Sequence, residues 1–349
     1  MGQIKEQLTD IKSMNMDELT EFIISLGEKK FRAKQIYEWI HVKHVESFDE
    51  MTNISDKLKD TLKEDTLYTS LKIVKMQESR IDGTRKYLFE LYDGNLIESV
   101  FMKYHHGNSV CISSQVGCKM GCRFCASTLN GCVRNLSPSE MLDQIYRISR
   151  DTNERVSNVV IMGSGEPMLN YDNVLNFIRL VHEPYCLNLG YRNITISTSG
   201  IVPGINKLAQ ENLPITLSIS LHAPNNVLRT ELMPINKRYP IEEVIKAAVN
   251  YANTTKRRIT YEYILIDKYN DNMTEAVELC KLLKNQLANV NLIPINPVKE
   301  RNYNRPSLAR IKAFAKYLND HHLTATIRQE MGTDIQAACG QLRNKHLAK

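Results

Sequence analysis

The feature that most constrains the fold of this chain is an alternation of strand and helix patterns that begins near residue 110. Short β-branched runs are separated by longer stretches with apolar residues at helical spacing, such as 137–149 and 241–253. This alternation predicts βαβ units, in which helices cover a parallel sheet. Because a complete barrel needs more than six units, we expect an incomplete (β/α)6 barrel, with a doubly wound open sheet as the alternative. The predicted strands are 110–114, 158–162, 193–198, 215–221, 259–266 and 290–295, with a final one at 324–328.

Unusual polar residues follow five of these strands. In parallel α/β barrels the carboxyl ends of the strands form the rim on which functional sites are built. Each cluster alone could be turn chemistry, but five on one rim predict a site. After the cysteine run that follows the first strand, the clusters are Gly163-Ser164-Gly165-Glu166-Pro167, Ser197-Thr198-Ser199-Gly200, Ser220-Leu221-His222-Ala223-Pro224 and Asn296-Pro297.

The cysteine run has the spacing CxxxCxxC, with Cys118, Cys122 and Cys125 as its members. Three thiolates this close together favour a soft metal centre. Iron–sulfur clusters and structural zinc usually take four cysteines, so three from one loop leave a metal position open for chemistry. The alternative is a structural zinc site, whose fourth ligand would come from His105 or His106.

Composition excludes several classes of protein. The 349 residues contain no apolar run long enough to cross a bilayer, so we expect no membrane association. The first ten residues are polar and lack the apolar segment of a signal peptide, which predicts a cytoplasmic protein with reduced cysteines. The net charge of +6 is uneven, because the first 70 residues are acidic and the last 51 are strongly basic. This balance suits a polyanionic partner, although a merely solvated basic surface would show the same charge.

The chain before the alternation divides into two parts. Residues 1–70 are predicted to be helical, with a local basic cluster at Lys29, Lys30, Arg32 and Lys34. Residues 71–105 contain strand patterns joined by Asp-Gly turns, which predicts a short antiparallel β extension. We therefore predict an N-terminal helical domain at 1–70, a β-hairpin extension at 71–105 and a barrel core at 106–349.

The motifs resemble those of a known family. A CxxxCxxC run that opens a series of βα units is similar to the radical S-adenosylmethionine superfamily. The segments 111–118, 162–170, 218–225 and 337–342 resemble the RlmN/Cfr family of RNA methyltransferases, and the resemblance covers nearly the whole chain. Pro167 and the segment 222–225 favour its adenine-C2 branch. Ser164 and Ile295 depart from the family, which usually has methionine and tryptophan there, and both bear on how the cofactor packs.

The resemblance implies a substrate and cofactors. The expected reaction is methylation of C2 in adenosine 2503 of 23S rRNA and in adenosine 37 of tRNA. It would proceed through a methylcysteine and a transient protein–RNA adduct. The implied cofactors are one [4Fe–4S] cluster held by Cys118, Cys122 and Cys125, and two molecules of S-adenosylmethionine per turnover. The implied enzyme is a monomer whose residues 1–70 bind RNA and whose electron donor is of the flavodoxin or ferredoxin type.

The resemblance also implies the roles of individual residues. Cys339 would carry the methyl group, Glu98 would remove the C2 proton, and Cys111 would release the product by a transient disulfide with Cys339. Without the family, Glu98 would be interpreted as a surface carboxylate and Cys111 as a buried strand cysteine. The positions implied for S-adenosylmethionine are Gly165 and Glu166, at its methionine amino group, with Ser197, Ser220, Leu221, His222 and Asn296.

Two other functions stay open at this point. A Cfr-like enzyme would methylate C8 of the same rRNA adenosine and confer antibiotic resistance, and only the modified nucleoside distinguishes the two. A zinc-containing RNA-binding module would have no catalytic activity, and it would lack the brown colour of an iron–sulfur protein.

Overall fold

The computed structural model describes residues 8–297 and 301–335. Its strands are β1 (Thr9–Asp10), β2 (Thr66–Leu67), β3 (Lys72–Glu78), β4 (Arg85–Glu90), β5 (Leu96–Tyr104), β6 (Gly107–Cys111), β7 (Gln115–Gly117), β8 (Cys132–Asn135), β9 (Asn158–Ile161), β10 (Ile194–Thr198), β11 (Thr216–Ser220), β12 (Ile259–Leu265), β13 (Ala288–Pro294) and β14 (Ala325–Ile327). Its α-helices are α1 (Met16–Ser25), α2 (Phe31–His41), α3 (Asp56–Asp65), α4 (Pro138–Thr152), α5 (Tyr171–His182), α6 (Val202–Gln210), α7 (Asn226–Leu232), α8 (Ile241–Thr255), α9 (Met273–Leu282) and α10 (Leu308–Asp320).

Within those residues the main sheet has ten strands, in the order β14-β13-β12-β11-β10-β9-β6-β5-β4-β3. The strands β6 and β9 to β14 are parallel to one another, and β3 to β5 continue the sheet as antiparallel neighbours. Helices α4 to α10 alternate with the parallel strands, which buries apolar residues from both layers in one large core. The prediction of an incomplete parallel barrel with an antiparallel extension is confirmed.

The longer barrel helices begin and end where the sequence provides caps. At α4 the Ser137 hydroxyl accepts a hydrogen bond from the Glu140 backbone, and the Glu140 side chain accepts one from the Ser137 backbone. Pro138 follows, at a position where its missing N–H is not needed. Asn153 then ends the helix in the left-handed conformation, with φ of +52°. The predicted segment 137–149 therefore lies within a real helix, which continues to Thr152.

The N-terminal helices enclose an apolar core of their own. Residues from Ile11 to Leu62 form this core, and α1, α2 and α3 contribute to it. This separate core agrees with a domain that ends before the sheet begins, while the boundaries at residues 70 and 105 stay predictions. No helix among the described residues is long and apolar enough to span a membrane.

Helix α4 joins the N-terminal helices to the barrel through two neighbouring residues. Lys12 donates to Asp143 at 2.7 Å, and both side chains are almost fully buried. On the barrel side, Gln144 accepts from the Ser113 backbone N–H at 2.8 Å and from the Ser99 hydroxyl at 2.7 Å. One helix therefore binds the N-terminal helices and the backbone that follows β6.

We expect Lys12→Met to destabilise the protein strongly, because it leaves Asp143 as a buried charge without its cation. The free energy of unfolding should fall by about 3–5 kcal/mol. Urea denaturation followed by circular dichroism measures the change. Lys63→Met is the matched control, because its ion pair with Asp49 is exposed and contributes little to stability. Equal losses in the two variants would contradict the interpretation of the buried pair.

Candidate active site

The three predicted cluster ligands lie in the loop that follows β7. Gly117 and Gly121 adopt φ of +81° and +71°, a region that other residues rarely adopt, so the loop needs glycine at both turns. Cys118 and Cys122 are buried and Cys125 is half-buried. Burial raises the pKa of Cys118 to about 12, and the neighbouring Cys125 thiol adds to the rise. The loop therefore gathers three protonated thiols in a poorly solvated pocket.

The chemistry of this donor set fits an iron–sulfur cluster. Apolar side chains surround the thiols, including Met233, Ile264 and Ile295. A bound metal deprotonates a coordinating thiol, which reverses the effect of burial on its pKa. No group of three His, Cys, Asp or Glu side chains lies at metal-binding separation in residues 8–297 and 301–335. The three thiols therefore supply the donor atoms that an iron–sulfur cluster needs.

The histidines suggested for a zinc site lie elsewhere. His105 and His106 precede β6 and pack edge to face in the turn between β5 and β6. They therefore lie at the amino end of β6, whereas the cysteine loop follows its carboxyl end. A fourth zinc ligand from either residue is not supported.

Glu166 occupies the rim between β9 and β10. It is 2% exposed, and its carboxylate accepts from the Thr198 hydroxyl and from the Ser199 backbone N–H, each at 2.7 Å. Burial raises the pKa of Glu166, and these hydrogen bonds oppose the rise. The carboxylate is therefore fixed at the carboxyl ends of the strands, where the sequence predicted a cofactor ligand.

Gly165 is required by close packing next to Glu166. Its φ is +117°, and a Cβ atom there would lie 2.7 Å from the Ser114 hydroxyl and 2.8 Å from the Gln115 backbone nitrogen. The segment that contains Ser114 and Gln115 leads directly into the cysteine loop. Glycine therefore lets the loop after β9 approach the cysteine loop.

His222 connects the end of β11 to the cysteine loop. Its Nδ1 accepts from the Ile264 backbone N–H at 3.0 Å, so the proton of the neutral ring lies on Nε2. Burial lowers the pKa of His222 to about 3, which keeps the ring neutral. The ring packs edge-on against Phe124 with 4.8 Å between centroids. Leu221 is fully buried beside it, and its backbone N–H donates to Glu262.

The remaining predicted cofactor residues lie on the same rim. Ser197 and Ser220 are half-buried at the ends of β10 and β11, and Asn296 is exposed just after β13. The structure therefore brings to one rim all seven residues predicted to bind S-adenosylmethionine.

Arg229 is a rim residue that sequence reasoning missed. It is fully buried in α7 and donates to the backbone carbonyls of Ser199 at 2.7 Å and Ser220 at 3.3 Å. Burial lowers the pKa of Arg229 to about 10, so the guanidinium stays charged at neutral pH. It ties together the loops after β10 and β11. An arginine in a short helix gives no sequence signal for such a role.

Glu98 and Cys111 face the same side of the sheet. Val100 pairs with Cys111 between β5 and β6, and Glu98 lies two residues before Val100, so the three side chains share one face. Glu98 is 2% exposed and forms an ion pair of 3.0 Å with Lys86. The alternative interpretation of Glu98 as a surface carboxylate is wrong.

The two predicted reactive cysteines differ in what the structure describes. Cys111 is half-buried, and burial raises its pKa, while Arg328 and Lys86 oppose the rise. Cys339, predicted to carry the methyl group, lies outside the described residues. All seven cysteines within the described part of the chain are free thiols.

Comparisons with known proteins cover both parts of the chain. The model for the ribosomal RNA large subunit methyltransferase N-terminal domain matches residues 9–67, and the model for the radical SAM superfamily matches residues 112–280. A probable dual-specificity RNA methyltransferase RlmN of Lachnospira eligens is 57% identical over 97% of both chains. A protein of the same description from Lachnoclostridium phytofermentans is 53% identical over 100% of this chain and 98% of its own. The crystal structure of a radical SAM methyltransferase from Sphaerobacter thermophilus has a TM-score of 0.92 and 41% identity, and covers 95% of this chain and 98% of its own.

Proposed function

The chain belongs to the RlmN family and is a radical S-adenosylmethionine RNA methyltransferase, and from this premise we propose that Glu98, Cys111 and Cys339 methylate C2 of adenosine. The proposed targets are adenosine 2503 of 23S rRNA and adenosine 37 of tRNA. The observation that carries the proposal is the shared sheet face of Glu98 and Cys111. It lies on the sheet whose rim bears the predicted cofactor residues.

The chemistry of the target explains why a radical enzyme is needed. C2 of adenine lies between two ring nitrogens and is electron-poor, so it does not attack a methyl group as an ordinary nucleophile. When bound, the cluster and S-adenosylmethionine supply a one-electron source for making a carbon radical. Cys118, Cys122 and Cys125 would hold the cluster. Gly165, Glu166, Ser197, Ser220, Leu221, His222 and Asn296 would bind S-adenosylmethionine.

Three protein residues are proposed to carry out separate steps of the reaction. Cys339 carries the methyl group as a thioether. The carbon of this thioether would lose a hydrogen atom to the 5′-deoxyadenosyl group that the second S-adenosylmethionine supplies, and would then bond to C2. Glu98 takes the C2 proton as a general base, and the unpaired electron left on the adduct would return to the bound cluster. The Cys111 thiolate attacks the Cys339 sulfur, and the bond between that sulfur and the transferred carbon breaks. The carbon keeps the electron pair of this bond and takes up a proton, which completes the methyl group. The product leaves with its new methyl group, and the two cysteines are left as a disulfide that must be reduced before the next turnover.

Mass spectrometry of nucleosides tests the proposed position of methylation. RNA treated with reconstituted enzyme, reductant and S-adenosylmethionine should contain 2-methyladenosine. 8-Methyladenosine would instead indicate the Cfr-like reaction. The third possibility, a non-catalytic zinc module, is inconsistent with family membership.

Cofactor stoichiometry and cellular partners are part of the same proposal. One [4Fe–4S] cluster serves each chain, and each turnover consumes two molecules of S-adenosylmethionine, one for methylation of Cys339 and one for the radical step. The enzyme works as a cytoplasmic monomer. Its electron donor is a small carrier of the flavodoxin or ferredoxin type.

RNA binding should weaken as salt rises, because phosphate contacts release counterions. Lys29 and Lys30 are exposed at the start of α2, beside the exposed ring of Phe31. The double variant K29E/K30E should bind tRNA more weakly, and its plot of log affinity against log salt should be less steep by about 0.7 for each lost contact. Lys57 and Lys63 on α3 provide the control pair for fluorescence anisotropy. An unchanged slope in K29E/K30E would show that the basic cluster is an ordinary solvated surface with no role in RNA binding.

A further inference from the structure

The antiparallel part of the sheet contains a lysine that is fully buried. Lys86 is 0% exposed in β4, and its ammonium lies 3.0 Å from the Glu98 carboxylate of β5. Neighbouring ion pairs of the same strands, Arg85 with Glu78 and Lys72 with Glu90, are open to solvent. Of these cations, Lys86 is therefore buried, next to the Glu98 carboxylate that is proposed as the general base.

The strand register places this pair beside the reactive cysteine. Lys86 pairs with Val100, and Val100 pairs with Cys111, so the row crosses β4, β5 and β6 on one face. The row continues through Val160 of β9 to Thr195 of β10, and so reaches the face that bears Ser197. Arg328, beyond β14, is the other cation whose charge acts on Cys111. Lys86 therefore belongs to the inner face of the barrel, where the chemistry is proposed.

Stability alone does not explain a buried ion pair. Removing two charges from water costs about as much as their attraction returns, and apolar residues of similar size are often at least as stable. A general base has a different requirement, because it must be ionised and correctly oriented when the proton leaves the substrate. The Lys86 ammonium places a positive charge 3.0 Å from one oxygen of the carboxylate, and so holds that oxygen in position.

We propose that Lys86 is a positioning residue whose buried positive charge holds the Glu98 carboxylate in the orientation that takes the C2 proton. The proposal rests on the proposed role of Glu98. Lys86 would therefore act at product release and not at methylation of Cys339.

The test compares variants of the reconstituted holoenzyme at separate stages of the reaction. Lys86→Met should methylate Cys339 and form the protein–RNA adduct as the unmodified enzyme does, and should release it about 10- to 100-fold more slowly. Mass spectrometry measures cysteine methylation, and denaturing gels with labelled RNA measure the decay of the adduct. Lys86→Arg keeps the charge and should restore most of the release rate. Lys72→Met removes the exposed lysine of β3 and should release at the normal rate.

Further variants separate the possible outcomes. Lys86→Gln keeps a hydrogen-bond donor to the carboxylate, so it serves if Lys86→Met does not fold, and it should also release slowly. Adding Lys86→Met to Glu98→Gln should slow release no further, because the lysine acts through the carboxylate. Normal release from both Lys86→Met and Lys86→Gln would overturn the proposal. Normal release from Glu98→Gln would instead overturn the proposed role of the base.

Discussion

Replacing Cys111 by alanine should trap the enzyme as a covalent adduct with RNA. The variant still has Cys339 to carry the methyl group and Glu98 to take the proton, but it has no thiol to break the last bond. Turnover should fall by about three orders of magnitude or more, as for other residues that act directly in covalent catalysis. Cys339→Ala should fall as far and form no adduct at all. A denaturing gel with labelled RNA distinguishes the two, because only the adduct moves with the protein.

Cys280→Ala is the matched control for this experiment. Cys280 lies in α9 and is half-buried like Cys111, but it is outside the proposed site. The control should methylate RNA at the normal rate. If Cys111→Ala turned over normally, the cysteine would have a structural role only. If Cys339→Ala still methylated RNA, the methyl-carrier mechanism would fail entirely.

Alanine at Cys118, Cys122 or Cys125 should abolish the cluster and every later step. Each cysteine supplies one of three thiolates, and two thiolates cannot hold the cluster in the arrangement proposed. Iron content, brown colour and production of 5′-deoxyadenosine should all disappear. The fold should survive, because Cys→Ala removes little volume from a loop.

A fourth cysteine close to the cysteine loop provides the control for this experiment. Cys132 begins β8, and the residue before it, Gly131, accepts a hydrogen bond from the Cys118 backbone N–H at 2.8 Å. Cys132→Ala should keep its iron and cleave S-adenosylmethionine. Loss of the cluster in Cys132→Ala, or its retention in Cys125→Ala, would show that the ligand set is different from the one proposed.

The parallel part of the fold could be predicted because its signals are local. Each strand is a short β-branched run, and each cluster of polar residues follows its own strand, so the rim could be derived without knowing any contact. The polar cluster that contains Gly165 and Glu166 was placed on the rim in this way, and the family resemblance supplied their predicted role as cofactor ligands. The loop after β9 itself contains Gly165, which allows the close approach to the cysteine loop, and Glu166, whose carboxylate lies on the rim.

Lys86 and Arg229 could not be predicted because their roles depend on distant neighbours. Lys86 lies between Arg85 and Tyr87 in a hairpin, where a lysine is usually solvated. Its burial follows from the register of three strands, which the sequence does not state. Arg229 likewise binds carbonyls that lie 30 and 9 residues away along the chain. Side chains that act between elements are therefore the ones that sequence patterns miss.

The two neighbouring contacts of α4 fix the separation between the N-terminal helices and the barrel. Asp143 binds Lys12, just before α1, and Gln144 binds the backbone after β6, so α4 fixes the position of Lys29 and Lys30 relative to Cys111. With phosphates bound at Lys29 and Lys30 as proposed, an RNA substrate has to present its target adenosine at that same separation.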